Sequence, residues 1–224
     1  MLALLYDIHG NLVALEAVLA DAEAAGADRY LLGGDFGAWS PWPLETIERL
    51  RGLPNTTWIR GNGERWLREP PVDRPEVMQA FAEHDSGLGT EEGWLYSLQA
   101  HQELEGVLYV HGSPLSDVES FAVKPHDDDE RLLDGIRDIT VVFGHSHLQF
   151  QRPGPDGTTL INPGSAGMPL DGDVRAAYAL RHDDGRFEPR RVEYDTERAA
   201  KAWGELGDAG FGTMVAQRIR RGSD

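Results

Sequence analysis

The residues of this chain that could do chemistry fall in five short polar clusters: Asp7-Ile8-His9, Gly34-Asp35, Gly61-Asn62, His111-Gly112 and Gly144-His145-Ser146-His147. Carboxylate, amide oxygen and imidazole are the ligands that borderline divalent cations accept, and one carboxylate has two oxygens with which to join a pair of ions. In Gly-His-Ser-His the two imidazoles are two residues apart, so on extended backbone they project to one side, which suits a metal better than a packed core. Taken alone, the other clusters have ordinary readings. Asp-x-His after a strand is commonly a helix cap or loop pair, and Gly-Asp and Gly-Asn are common turn dipeptides. What favours a metal site is their conjunction in one chain, each directly after an apolar run that reads as a buried strand.

Those runs define the elements that must position the clusters. Leu2 to Tyr6 is short and continuously apolar, as expected of a strand covered on both faces. Asn11 is placed to cap a helix in which Leu12, Leu15, Val18, Leu19 and Ala22 recur at helical spacing until Gly26. Tyr30 to Leu32 and Thr56 to Ile59 read as the next strands, separated by a helix from about Leu44 to Leu50 after the Pro41-Trp42-Pro43 turn. Right-handed crossovers bring the three strand ends to one sheet edge, where Asp7, His9, Asp35 and Asn62 converge. Residues 65–103 carry no strand signal and read as a mainly helical insertion, with Thr90 capping a short helix that contains Trp94 and Leu95. Val107 to Val110 and Thr140 to Phe143 resume the strands and deliver His111, then His145 and His147. Asp156-Gly157 and Asp184-Gly185 read as hairpin turns. Thr196 to Leu206 and Thr213 to Arg221 read as closing helices. With no repeat and no linker, residues 1–224 are expected to form one domain carrying the 65–103 insertion.

Composition narrows the partners. The chain has 224 residues, 38 acidic and 21 basic, for a formal charge of −17. Such an anion is poorly suited to a nucleic-acid backbone or an anionic membrane surface, and bound metal would supply the local positive charge needed to handle phosphates. Cysteine is absent, which removes disulfides and thiolate ligands. The start has no basic region ahead of its apolar stretch and no apolar run nears the roughly 20 residues of a membrane span, so a cytoplasmic location is expected. No feature selects an oligomeric state.

In order and spacing, the five clusters resemble the motifs of the calcineurin-like metallophosphoesterases over about the first three quarters of the chain. Asp7-x-His9-Gly10-Asn11 is similar to the signature of the bacterial branch, and His111-Gly112-Ser113-Pro114 resembles the family's fourth motif. Asn162-Pro163-Gly164-Ser165, followed by Asp171-Gly172-Asp173, resembles the closing motif ahead of the second sheet's hairpins, where a turn that buttresses the His145–His147 loop is expected. The resemblance implies an α/β fold, a two-sheet α/β/β/α sandwich with the site at strand carboxyl ends. It further implies one metal held by Asp7, His9 and His147, a second by Asn62, His111 and His145, and Asp35 bridging the two. The ions are divalent, with manganese, iron, zinc, cobalt and nickel all compatible. The implied nucleophile is a metal-bridging hydroxide, and no protein side chain is assigned a covalent role. Four ligands are imidazoles that bind only when neutral, so affinity is expected to fall below their ordinary pKa of about 6.5.

The chain departs from the pattern at Gly63. Relatives place a histidine there that contacts the phosphate and protonates the leaving group, whereas this chain reads Gly61-Asn62-Gly63-Glu64. Glu64 is then expected to form a salt bridge to Arg60 or Arg65, or a hydrogen bond behind the ligands. His84, His101 and His126 are the candidates for a substitute acid. Trp39 and Trp42, in a segment resembling the branch's pocket-side loop, are candidates for core, rim or base stacking. The continuation Phe36-Gly37-Ala38-Trp39 lacks the Asp-x-x-Asp-Arg-Gly of serine/threonine phosphoprotein phosphatases. The implied function is a dinuclear metal-dependent hydrolase of phosphoester or phosphoanhydride bonds in a small phosphorylated molecule, a phosphodiesterase or phosphatase, with nucleotides and dinucleoside polyphosphates among the candidates. The alternative is a scaffold of the same fold that works by binding. Descendants of that kind are expected to lose ligands, and here all seven types are present.

Overall fold

The computed structural model describes residues 1–75, 77, 78, 81, 85–206 and 210–224; His84 lies outside them. The first sheet is built on the parallel strands β1 (Leu2–Leu5), β2 (Arg29–Leu32) and β3 (Thr56–Trp58). Helix α1 (Leu12–Ala24) joins the first two, and α2 (Pro43–Arg51) joins the second to the third. Asn11 does cap α1, its side-chain oxygen accepting from the Ala14 N–H. The apolar face of α1, with Ala14, Leu15, Val18 and Leu19, packs with Ala3, Leu5 and Leu32 on the outer side of this sheet.

The second sheet contains β4 (His101–Leu104), β5 (Val107–Val110), β6 (Thr140–Val142), β7 (Phe150–Pro153) and β8 (Thr159–Asn162) in the order β4-β5-β6-β8-β7. Between the two sheets lies an apolar layer formed by Leu2, Leu4, Tyr6, Leu31, Ile59, Val107, Tyr109, Val142, Ile161 and Ala179. The far side of the second sheet is closed by Phe121, Leu132 and Leu133, the last two on a short helix (Asp129–Leu133). The molecule is therefore the expected α/β/β/α sandwich.

Three local expectations are corrected. His101–Leu104 is a strand, although it falls largely within the segment expected to be helical. Among the described residues it is an edge strand paired only with β5, and three of its four residues are polar, so it has no apolar periodicity to betray it. Its turn, Glu105-Gly106, has φ of 51° and 72°, the backbone of a two-residue hairpin turn, but lacks the usual Asn-Gly or Asp-Gly signature. Thr90 does not cap a helix. It sits inside a 3-10 turn (Gly89–Glu91) ahead of the helix Glu92–Ser97, whose N-cap is Glu91. Finally, the hairpin of β9 (Ala176–Arg181) and β10 (Phe187–Val192) joins the first sheet beside β1, not the second. The alternation of a hairpin says which face is buried, not which edge accepts it. Two closing helices, Thr196–Gly204 and Phe211–Arg221, pack together through Ala199, Ala200, Trp203, Val215 and Ile219. Among the described residues no helix is long and apolar enough to cross a membrane.

Candidate metal centre

The parallel strands β1, β2 and β3 end side by side, as do β5, β6 and β8 in the opposite sheet, and the five clusters follow these ends. At Asp7, His9, Asp35, His145 and His147 the backbone takes φ of 53°, 48°, 56°, 65° and 59°. Left-handed backbone is uncommon at residues other than glycine, and its concentration at five of the seven proposed ligands marks a region held in place by its surroundings. Much of the holding is visible. The backbone N–H of Asp7 and of His9 donate to the carbonyls of Gly34 and Asp35 at 3.1 and 2.9 Å, which locks the first cluster to the second. Ser165 Oγ donates to the Asp7 carbonyl, and Asn162 Nδ2 to the Gly144 carbonyl and Ser146 Oγ, so the Asn-Pro-Gly-Ser turn does buttress the loop carrying His145 and His147. Gly144 is required by close approach, since a Cβ there would stand 2.5 Å from Asp7 Oδ2.

All seven side chains named from the sequence meet in one place. Asp7, Asp35, Asn62, His111 and His147 are buried, and His9 and His145 are partly buried. Asp7 Oδ1 has no hydrogen-bond partner among the described residues, yet it stands 3.3 Å from His147 Nε2 and 3.8 Å from both His9 Nε2 and His111 Nε2. The Asp35 carboxylate faces two ways, Oδ2 lying 3.8 Å from His9 Nε2 and Oδ1 3.6 Å from His111 Nε2. The ring orientations are fixed from behind. His111 Nδ1 faces the Gly33 carbonyl at 2.8 Å and His147 Nδ1 the Met168 carbonyl at 2.7 Å, so each Nδ1 donates and a neutral ring presents the lone pair of Nε2 inward.

These groups suit divalent metal. His9 Nε2 and His147 Nε2 lie 3.1 Å apart. Two nitrogens each about 2.1 Å from one ion would be separated by about 3.0 Å at a right angle and about 3.4 Å at the tetrahedral angle. One end of the Asn62 amide stands 3.0 Å from His111 Nε2 and 2.8 Å from His145 Nδ1. With oxygen at that end, three acceptors converge and either a cation or a proton must reconcile them; with the amide turned, its nitrogen donates to both rings.

The titration of the groups tells the same story in terms of charge. Burial pushes Asp35 up to about 7, with Glu64 and Asp7 adding to the shift and His111 opposing it. Burial also acts to lower His111, but the Asp35 and Asp7 carboxylates outweigh it and raise the ring to about 9. His147 is raised in the same way, burial being overcome chiefly by Asp7. Asp7 is lowered, because His147, His111 and His9 outweigh its own burial. His9 falls to about 3 through burial and the neighbouring His147, and His145 to about 4 through burial and His111. The buried carboxylates thus favour the protonated form of His111 and His147, and a cation would supply the same compensating charge.

The contribution of Glu64 was only half anticipated. It makes no salt bridge to Arg60 or Arg65; Arg65 instead holds Asp117 through two hydrogen bonds. Glu64 is 1% exposed and accepts three backbone N–H groups at 2.8 Å, from Asp35, Phe36 and Gly61. One carboxylate thereby ties the loop of Asp35 to the loop of Asn62. Its place three residues after Gly61 is the spacing of a capping box, the sequence signal that points to this role. Gly63 donates its N–H to Asp35 Oδ1 at 2.7 Å. Neither of the other candidate acids lines the cavity at the site. His101 is exposed on the edge strand, and the His126 side chain is 61% exposed in a separate cleft.

Over residues 1–185 the chain matches the model of the calcineurin-like phosphoesterase superfamily domain. The chain belongs to this superfamily. A metallophosphoesterase from Sphaerobacter thermophilus superposes with a TM-score of 0.78 at 26% identity, covering 99% of this chain and 98% of that one. A hypothetical protein from Pyrococcus horikoshii OT3 shares the fold along the full length of both chains, with a TM-score of 0.76 at 20% identity. An uncharacterized protein of Methanocaldococcus jannaschii is 27% identical over 222 residues, 89% of this chain and 90% of that protein. Calcineurin-like phosphoesterases bind divalent metal, and Asp7, His9 and His147, and likewise Asp7, Asp35 and His111, bring their ligand atoms within 4.8 Å of one another.

Proposed function

We propose that this protein is a hydrolase of phosphoester or phosphoanhydride bonds in a small molecule, working with two divalent ions. Asp7, His9 and His147 would hold one ion, Asn62, His111 and His145 the other, and Asp35 both. The observation that carries the reading is the Asp35 carboxylate, whose two oxygens face His9 on one side and His111 on the other. A pair of divalent ions there would clamp a phosphate, lower the pKa of a shared water toward neutrality and offset charge in the in-line transition state. The protein's part is positioning. Glu64 fixes the two loops, the Gly33 and Met168 carbonyls orient His111 and His147, and the buried surroundings limit competing water.

Protonation of the leaving group has no obvious donor among the described residues. The cavity beside the site is lined by His9, His145 and His147, which are proposed ligands, by Arg74 and Arg218, and by Glu64, which is engaged with three N–H groups. The enzyme therefore suits substrates whose leaving groups are already stable anions. Completeness of the ligand set favours an enzyme over a binding scaffold.

The test is metal analysis and hydrolysis of purified protein and two variants. Asp35→Ala should lose both ions and hydrolysis together, whereas His147→Ala should chiefly weaken one. Two metals per chain and near-normal hydrolysis in Asp35→Ala would refute the assignment.

A further inference from the structure

A cavity of about 270 Å³ opens directly onto the candidate metal centre, with His9, Asp35, Asn62, His145 and His147 forming its floor. Its other walls are largely apolar and come from two sources. Trp39 and Trp66 stand on one side, and Trp39 is stacked on Phe81 with ring centres 3.6 Å apart and planes 9° from parallel. Met168, Leu170, Trp203, Phe211 and Val215 stand on the other. Trp203, Phe211 and Val215 belong to the two closing helices, which follow the residues 1–185 matched by the superfamily domain. This wall is therefore supplied by the chain's own C-terminal elements.

An apolar chamber continuous with a phosphate-binding floor constrains what can be bound to the phosphorus. A sugar or glycerol group placed there would set most of its hydroxyls against rings and methyls, where a hydroxyl without a partner loses the hydrogen bonds it made to water. A flat aromatic or branched aliphatic group would instead release water from both surfaces. Polar groups accompany the apolar walls: Arg74 and Arg218 also line the cavity, as does Glu64, whose carboxylate is engaged with three backbone N–H groups, and Trp203 brings its indole N–H. Trp203 is 2% exposed and its Nε1–H finds no acceptor among the described residues. The volume lies just below the roughly 300–1,000 Å³ usual for small-molecule sites, a size suited to one compact group.

We propose that this cavity is the specificity subsite, and that it receives a single compact aromatic or apolar group carried by the phosphorus of the substrate. The inference rests on the phosphoesterase reading above, and the test separates the two. Phenylphosphonate and methylphosphonate present the same anionic head on an unbreakable P–C bond and differ only in the organic group. Titrated calorimetrically into manganese-loaded protein, phenylphosphonate should bind at least about tenfold more tightly and with a more negative heat-capacity change, as burial of a ring requires. Ala38→Leu, which fills the cavity from its rim, and Leu170→Ala, which strips one wall, should each reduce that advantage to less than about threefold. Equal binding of the two probes, or an advantage undiminished in both folded variants, would overturn the subsite while leaving the phosphoesterase reading intact. Failure of manganese-loaded protein to bind either probe or to hydrolyse any phosphoester would sink both.

Discussion

Replacing Glu64 by glutamine removes one oxygen and its charge while keeping nearly the same shape. In the native protein Oε2 accepts from the N–H groups of Asp35 and Gly61, and Oε1 from that of Phe36. The amide can be turned only two ways. With its nitrogen in the place of Oε1, the Phe36 N–H loses its acceptor and meets another donor; in the place of Oε2, two N–H groups do. The cheaper choice forfeits one hydrogen bond to a charged group, worth about 1.5–3 kcal/mol, and leaves two neutral bonds of about 0.5–1.5 kcal/mol where stronger ones stood. The expected loss is roughly 3–6 kcal/mol. Because the side chain is 1% exposed, water cannot replace the missing partner. Against a total stability of about 5–15 kcal/mol such a loss is large. Urea unfolding of both proteins in excess chelator would measure it free of metal linkage, and manganese titration of the folded variant should show both affinities weakened, since Glu64 anchors the loops of Asp35 and Asn62. A variant within about 1 kcal/mol of the native protein, with unchanged manganese binding, would refute the view that this carboxylate organises the site.

The remaining expectations concern the leaving group and pH. In a series of aryl and alkyl esters, with chemistry shown to be rate-limiting, the rate should fall steeply as leaving-group pKa rises, because a positioned acid worth about 10²–10⁴-fold is missing. Gly63→His should rescue the poorest leaving groups most, although its Cβ would stand 3.0 Å from Asp35 Oδ1 and that contact must yield by a few tenths of an ångström; a shallow slope in the native protein would mean that another acid serves. Metal affinity should rise with pH to about 9 and uptake at pH 7 should release protons, since His111 stands at about 9, His147 is raised and Asp35 stands at about 7, and all three must be deprotonated to bind. This moves the window above the 6.5 expected of ordinary imidazoles, while His9 and His145, at about 3 and 4, add no slope above pH 5. A calorimetric affinity flat from pH 6 to 9 would contradict it. In chelator the linkage has the opposite sign for His111: its raised pKa stabilises the folded protein fully below about pH 6.5, and that contribution should be lost as pH rises through about 9, read as a falling urea midpoint.

What the sequence determined by itself was which polar clusters follow the strands and the kind of scaffold that brings them together, the choice of seven side chains within those clusters being what the family resemblance implies. A short, continuously apolar run such as Leu2 to Tyr6 is expected of a strand buried on both faces, and in a parallel sheet the polar residues directly after successive strands gather at one edge. That logic needs no contact information, which is why Asp7, Asp35, Asn62, His111 and His147 were legible although up to 140 positions separate them. The helix cap at Asn11 was legible for a similar reason, because it is set by bonds within a few residues. Tertiary structure decided what depends on distant partners. Edge strand β4 is defined by pairing with β5 rather than by its own pattern, and β9 and β10 could have extended either sheet until β1 accepted them. Glu64 could have reached a neighbouring arginine, and only the approach of the Asp35 loop supplied three donors in place of one cation. The raised pKa of His111 and of His147 likewise follows from carboxylates that burial brings beside them. The cavity wall of Trp203, Phe211 and Val215 was least legible of all, since helical periodicity shows which faces are apolar but not that one of them leaves a chamber beside residues almost 200 positions earlier in the chain.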